Sequence, residues 1–173
     1  MTDKETKTSC YDPSEGWACT NLRWLIDFME VTGQTITKLA EKSGYTRQNI
    51  GQKLRKDNMM LSTAEKILSG YNCTINISLT KPAKDKSYKT ENIIDLSSIT
   101  DPDIVPFISK RLFFLSQAAK RENLSNEQLA EACGLSLVAF YRILRVDDID
   151  FLKLIKIADA FGFKMTINIQ GMK

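Results

Sequence analysis

A shift of about ninety residues lays one half of this 173-residue chain onto the other, and a chain that repeats itself must fold the same way twice. The stretch LAEACGLSLVAFYRIL falls on LAEKSGYTRQNIGQKL, with Leu129-Ala130-Glu131 on Leu39-Ala40-Glu41, Gly134 on Gly44, Ser136 on Thr46, Phe140 on Ile50 and Leu144 on Leu54. Upstream, Leu112 and Leu115 match Leu22 and Leu25; downstream, Thr166-Ile167-Asn168-Ile169 repeats Thr74-Ile75-Asn76-Ile77 after a two-residue insertion. At 43% hydrophobic content the chain can bury two small cores, and the duplication predicts two tandem domains of like fold.

Within the first copy the apolar spacing is helical. Leu22, Leu25, Ile26 and Met29 make an amphipathic helix ending at Gly33. Ile36, Leu39 and Ala40 make a second and Ile50 and Leu54 a third, with Ser43-Gly44-Tyr45-Thr46 as the hinge between them. Gly44 stands where a short helix must stop and reverse, a place that requires positive φ. Thr46 then caps the next helix, which projects Arg47, Gln48, Gln52 and Arg55 away from Ile50 and Leu54. Those are long donors: arginine suits guanine edges or phosphates and glutamine suits adenine edges. A further helix carries Leu61, Ala64, Ile67, Leu68 and Tyr71, capped by Asn58 or Ser62, with Gly70 at its end. Thr74-Ile75-Asn76-Ile77-Ser78-Leu79 then alternates polar and apolar, the pattern of a strand with one buried face.

The spacing of Leu39-Ala40, Gly44, Thr46, Ile50 and Leu54 resembles the lambda-repressor-like (Cro-repressor, XRE-type) helix-turn-helix family over roughly sixty residues, and its last part resembles the reading unit of lac-repressor-type regulators. The resemblance implies a mainly α fold: two tandem helix-turn-helix domains of about four to five helices, each followed by one β-strand. It also implies a major-groove role for Arg47, Gln48 and Gln52, with Asn49, Lys53, Arg55 and Lys56 as candidate phosphate contacts. One departure stands out, since the family's bracing Gln at the second position of the preceding helix is replaced here by Ile36.

The second copy keeps the frame and changes the face. Leu137, Val138 and Arg142 replace Arg47, Gln48 and Gln52, and Asp147-Asp148-Ile149-Asp150 replaces Lys56-Asp57-Asn58 at a place where negative charge would repel phosphate. Asn126 stands where the bracing Gln is expected, and Tyr141, Arg142 and Arg145 remain as weaker contacts to a DNA backbone. Ser125 and Gln128 form a capping box, cleaner than Thr35 and Lys38. Phe107, Phe113 and Phe114 add apolar area, some of it available to a partner.

The remaining organisation follows from composition. Residues 1–19, broken by Pro13 and Gly16, read as a mobile arm whose Tyr11 and Trp17 fold back on the first domain. Residues 20–79 form that domain and 101–173 the second. Residues 80–100 are a linker bearing Lys81, Lys84, Lys86 and Lys89, which could touch phosphate, and Ile93, Ile94 and Leu96, which dock on a domain. Each terminal strand needs a partner. Antiparallel pairing of Ile75 and Ile77 with Ile167 and Ile169 would supply it within one chain; the alternative pairs like strands across two chains as a homodimer.

Net charge is only +3, so any nucleic-acid footprint must come from local clustering. With no histidine and no C-x-x-C among Cys10, Cys19, Cys73 and Cys133, no zinc or other metal site is expected. No signal peptide or membrane span is visible, so free thiols in the cytoplasm are expected. The chain lacks a paired-carboxylate motif, a Gly-rich phosphate loop and a nucleophile elbow, so neither an enzyme nor a bound cofactor is expected. The leading expectation is a sequence-specific regulator of transcription that binds double-stranded DNA. The alternative is a protein-interaction module, as in antitoxins or anti-repressors, whose second copy binds a protein.

Overall fold

The computed structural model describes residues 20–81 and 111–171. In chain order the elements are α1 (Arg23–Thr32), α2 (Ile36–Ser43), α3 (Arg47–Arg55), α4 (Leu61–Ser69), β1 (Thr74–Thr80), α5 (Phe113–Arg121), α6 (Asn126–Ala132), α7 (Leu137–Val146), α8 (Phe151–Phe161) and β2 (Lys164–Gln170). The described residues are mainly helical, with one two-stranded antiparallel sheet among them, formed by β1 and β2. No helix among the described residues is long and apolar enough to cross a membrane. The expectations placed on Tyr11, Trp17, Cys10, Cys19, Lys84, Lys86, Lys89, Ile93, Ile94, Leu96 and Phe107 lie outside the described residues.

The chain divides into two compact units, one running to Thr74 and taking in Gly171, the other Ile75–Gln170. The first holds α1 to α4. Its buried side chains include Leu22, Leu25, Ile26 and Met29 from the α1 region, Leu39 from α2, Ile50 and Leu54 from α3, and Ala64, Ile67 and Leu68 from α4, all apolar positions of the helical pattern, with Trp24, Phe28 and Met59 beside them. Each such leucine or isoleucine contributes about 1.5–3 kcal/mol by leaving water. Phe28 meets Tyr71 edge-on at 5.4 Å between ring centroids.

The second unit holds β1, α5 to α8 and β2. Its largest buried side chains include Phe114, Phe140 and Phe151, with Leu112, Leu115, Leu129, Leu154 and Ile157 around them, so Phe114 belongs to the core. The sheet fulfils the demand for a strand partner within the chain. Thr80 Oγ1 donates to the Lys164 carbonyl at 3.3 Å, which sets the end of β1 beside the start of β2. Along β1 the apolar residues Ile75, Ile77 and Leu79 are buried, whereas Met165, Ile167 and Ile169 of β2 are only half-buried.

The repeat holds in three dimensions without an insertion. Arg23 and Phe113, Ile36 and Asn126, Arg47 and Leu137, Leu61 and Phe151, and Thr74 and Lys164 open equivalent elements, each pair ninety residues apart. The expected two-residue insertion is therefore incorrect. In β2 the Thr-Ile-Asn-Ile motif has moved along a strand that itself begins in register, so Met165 stands opposite Ile75 in the repeat and Ile167 opposite Ile77. An even displacement leaves the same face apolar, so the fold tolerates it. Positive φ recurs on the same interval: Gly33 with Asn123, Gly44 with Gly134, Asp57 with Asp147, and Asn72 with Gly162.

One smaller expectation also needs correction. The N-cap of α4 is Met60, with no side-chain cap, in place of Asn58 or Ser62. Its counterpart Asp150 does cap α8, accepting from the Lys153 N–H at 3.0 Å. Gly70 follows α4 in ordinary right-handed backbone; it is bare because a Cβ there would stand 2.8 Å from the Lys42 carbonyl oxygen.

Candidate nucleic-acid interface

The turn between α2 and α3 is built by local chemistry. Gly44 ends α2 at φ 71°, which glycine adopts without Cβ strain. Thr46 is extended, and its hydroxyl oxygen accepts from the Asn49 N–H at 3.1 Å, closing one of the open donors at the start of α3. Tyr45, half-buried in the turn, lies under the Lys66 ammonium of α4, 4.7 Å from the ring centroid. In the second unit Ser136 caps α7 in the same way, accepting from the Ala139 N–H at 3.3 Å. The reciprocal Ser125–Gln128 capping box is formed at α6.

Because Ile50 and Leu54 are buried, the opposite side of α3 faces outward. Thr46, Arg47, Gln48, Asn49, Gln52, Arg55 and Lys56 are exposed, and Lys53 is half-buried along the flank. Residues 47–56 carry four cations and no acid, a local concentration that a net charge of +3 conceals. Gly51 lies in this helix with nothing within 4 Å of where its Cβ would be, so the fold itself has no need of glycine there. It leaves the backbone bare between Gln48 and Gln52.

The next residue after this cationic run is Asp57, which sequence reasoning missed as a structural part. At φ 47° it turns its carboxylate toward the start of α1, where the N–H groups of Thr20, Asn21 and Leu22 each donate to it at 2.9 Å. Its carbonyl accepts from Asn21 Nδ2 at 3.2 Å. Asp147 repeats the device in the second unit. Its carboxylate accepts from the N–H groups of Arg111 and Leu112 at 3.1 Å, and its carbonyl accepts from Arg111 Nη1 at 2.7 Å. The common signal was the aspartate ninety residues apart, which the repeat alignment already contained.

Asp147-Asp148-Ile149-Asp150, read from the sequence as negative charge that would repel phosphate, also has structural work within its own unit. Asp147 is the counterpart of Asp57 and is committed to a helix start. Asp150 caps α8 and pairs with the Lys153 ammonium, and Asp148 is buried. Of the linker lysines, Lys81 pairs with Glu122 at 2.6 Å and lies 5.7 Å from the Phe163 ring centroid, so it is engaged within the second unit.

On α7, Tyr141, Arg142 and Arg145 are exposed, while Asn126 at the start of α6 is half-buried. Leu144, aligned with the buried Leu54, is itself only half-buried. Cys73 and Cys133 are free and buried, and burial pushes the Cys133 thiol up to about 11. Compared with protein-family models, with curated proteins and with solved structures, the chain matches none.

Proposed function

We propose that this chain is a DNA-binding regulator built as a tandem pair of lambda-repressor-like helix-turn-helix domains, and that α3 is the helix that enters the major groove. The observation that carries the reading is the outward face of α3: exposed Arg47, Gln48 and Gln52 on a capped helix whose other side is locked by Ile50 and Leu54. In this reading Arg47, Gln48 and Gln52 address base edges, and Asn49, Lys53, Arg55 and Lys56 address phosphates. Thr46 fixes the start of the helix. The second unit, with Leu137 and Val138 at the matching positions, does not read bases in this reading, and Asn126, Tyr141, Arg142 and Arg145 stand outside the DNA interface. The protein works in the cytoplasm by occupying duplex DNA and catalyses no reaction.

Arg47→Ala and Gln48→Ala are each expected to weaken binding to the preferred duplex by about 1–3 kcal/mol. Both side chains are exposed, so thermal melting should not change. Fluorescence anisotropy on a selected duplex measures the loss. Unchanged affinity in both variants, with an intact fold, would sink the reading.

A further inference from the structure

Helix α7 has the sequence LVAFYRILRV, yet Phe140 is its one buried residue. A helix this apolar is ordinarily driven into a core, so its exposed stripe needs an explanation. Five large apolar side chains are exposed among the described residues, and Val138 (66%), Tyr141 (45%) and Val146 (68%) all come from α7. At 100° per residue, Val138, Tyr141, Arg142 and Arg145 lie on one face, opposite Phe140. Among the described residues Arg142 and Arg145 have no hydrogen-bond or ion-pair partner. Of the nearby acids, Asp147 accepts from the N–H groups at the start of α5 and Asp150 caps α8 and pairs with Lys153, and neither forms an ion pair with Arg142 or Arg145.

We infer that this face of α7 is a docking surface for an acidic amphipathic helix of a protein partner. An exposed valine and tyrosine flanked by two arginines has the residue types that anchor protein interfaces. A straight ridge of about two turns suits a helix laid alongside it, with leucine-like side chains against Val138 and Tyr141 and carboxylates reaching Arg142 and Arg145. The same face argues against the other occupants. A second copy packing α7 on α7 would gather four arginine charges in one interface, with no acid on this face to offset them. Duplex DNA would meet Leu137 and Val138 where α3 offers Arg47 and Gln48, and Tyr141 where α3 leaves the bare backbone of Gly51. The inference does not depend on α3 reading DNA.

The test uses the full chain and a synthetic helical peptide of about four turns, with a leucine stripe flanked by glutamates, beside a twin in which lysine replaces glutamate. By fluorescence anisotropy the glutamate peptide should bind and the lysine twin should bind about tenfold more weakly or worse. Val138→Asp should abolish binding of the glutamate peptide without changing the circular dichroism, since the side chain is exposed. Arg142→Glu combined with Arg145→Glu should reverse the preference between the peptides. No binding of the glutamate peptide at millimolar concentration, or binding indifferent to these substitutions, overturns the inference. So does a loss of duplex affinity in the Arg142→Glu, Arg145→Glu protein as large as that of Arg47→Ala, which would make α7 a second DNA face.

Discussion

Replacing Asp57 with alanine is expected to destabilise the protein by about 2 kcal/mol, lowering its melting midpoint by roughly 4–8 °C. The Asp57 carboxylate receives three backbone N–H groups at the start of α1, and without it those donors lose a charged acceptor. Alanine also has to hold φ 47°, so part of the loss would come from backbone strain. Asp57→Gly separates the two causes, because it relieves the strain while still removing the acceptor. If capping dominates, Asp57→Gly should melt nearly as early as Asp57→Ala, and Asp57→Asn, which keeps one acceptor oxygen and tolerates this φ, should lie between them and the unaltered protein. Asp147→Ala should weaken the second unit in the same manner. A midpoint unmoved by Asp57→Gly would show that the three bonds contribute nothing.

Gly51→Tyr is expected to separate stability from binding. Glycine inside a helix costs about 1 kcal/mol relative to alanine, and a Cβ at position 51 meets no atom within 4 Å, so the substituted protein should melt no earlier than the original. If α3 lies in a groove, however, tyrosine there would hold the helix backbone away from the bases. Duplex affinity should fall by tenfold or more, about 1.4 kcal/mol. The substitution installs the residue that the second unit carries at the matching position, Tyr141. Gly51→Ala should give a more stable protein with a smaller loss of binding. Undiminished affinity in Gly51→Tyr would mean that this face does not approach its ligand closely.

Helix periodicity and short-range capping made most of the helices legible in the sequence. The end of α1 at Gly33, the Gly44 turn, the Thr46 cap and the Ser125–Gln128 box all depend on residues within a few positions of one another. The outward placement of Arg47, Gln48 and Gln52 follows from Ile50 and Leu54 alone. Pairing of the two strands was legible as well, because an apolar-faced strand without a partner is costly. The bonds from Asp57 to the start of α1 cross 35 to 37 residues and leave no local signature, so the sequence assigned Asp57 no role. The register of β2 was misread because an even slip of Thr-Ile-Asn-Ile preserves the apolar face. Leu144 aligns with the buried Leu54 yet is half-buried in the second unit, so apolar composition on α7 does not translate into burial.

The central claim is that α3 reads base sequence, and selection of bound fragments from random duplex DNA tests it most directly. The intact chain is the right material, because β1 pairs with β2 and cutting between the repeats would strip each strand of its partner. The unaltered protein should recover a shared sequence motif, and Arg47→Ala should lose or relax that motif at particular base positions while still binding DNA through its other cations. Recovery of no motif by the unaltered protein, or of the same motif by both proteins, would contradict the account.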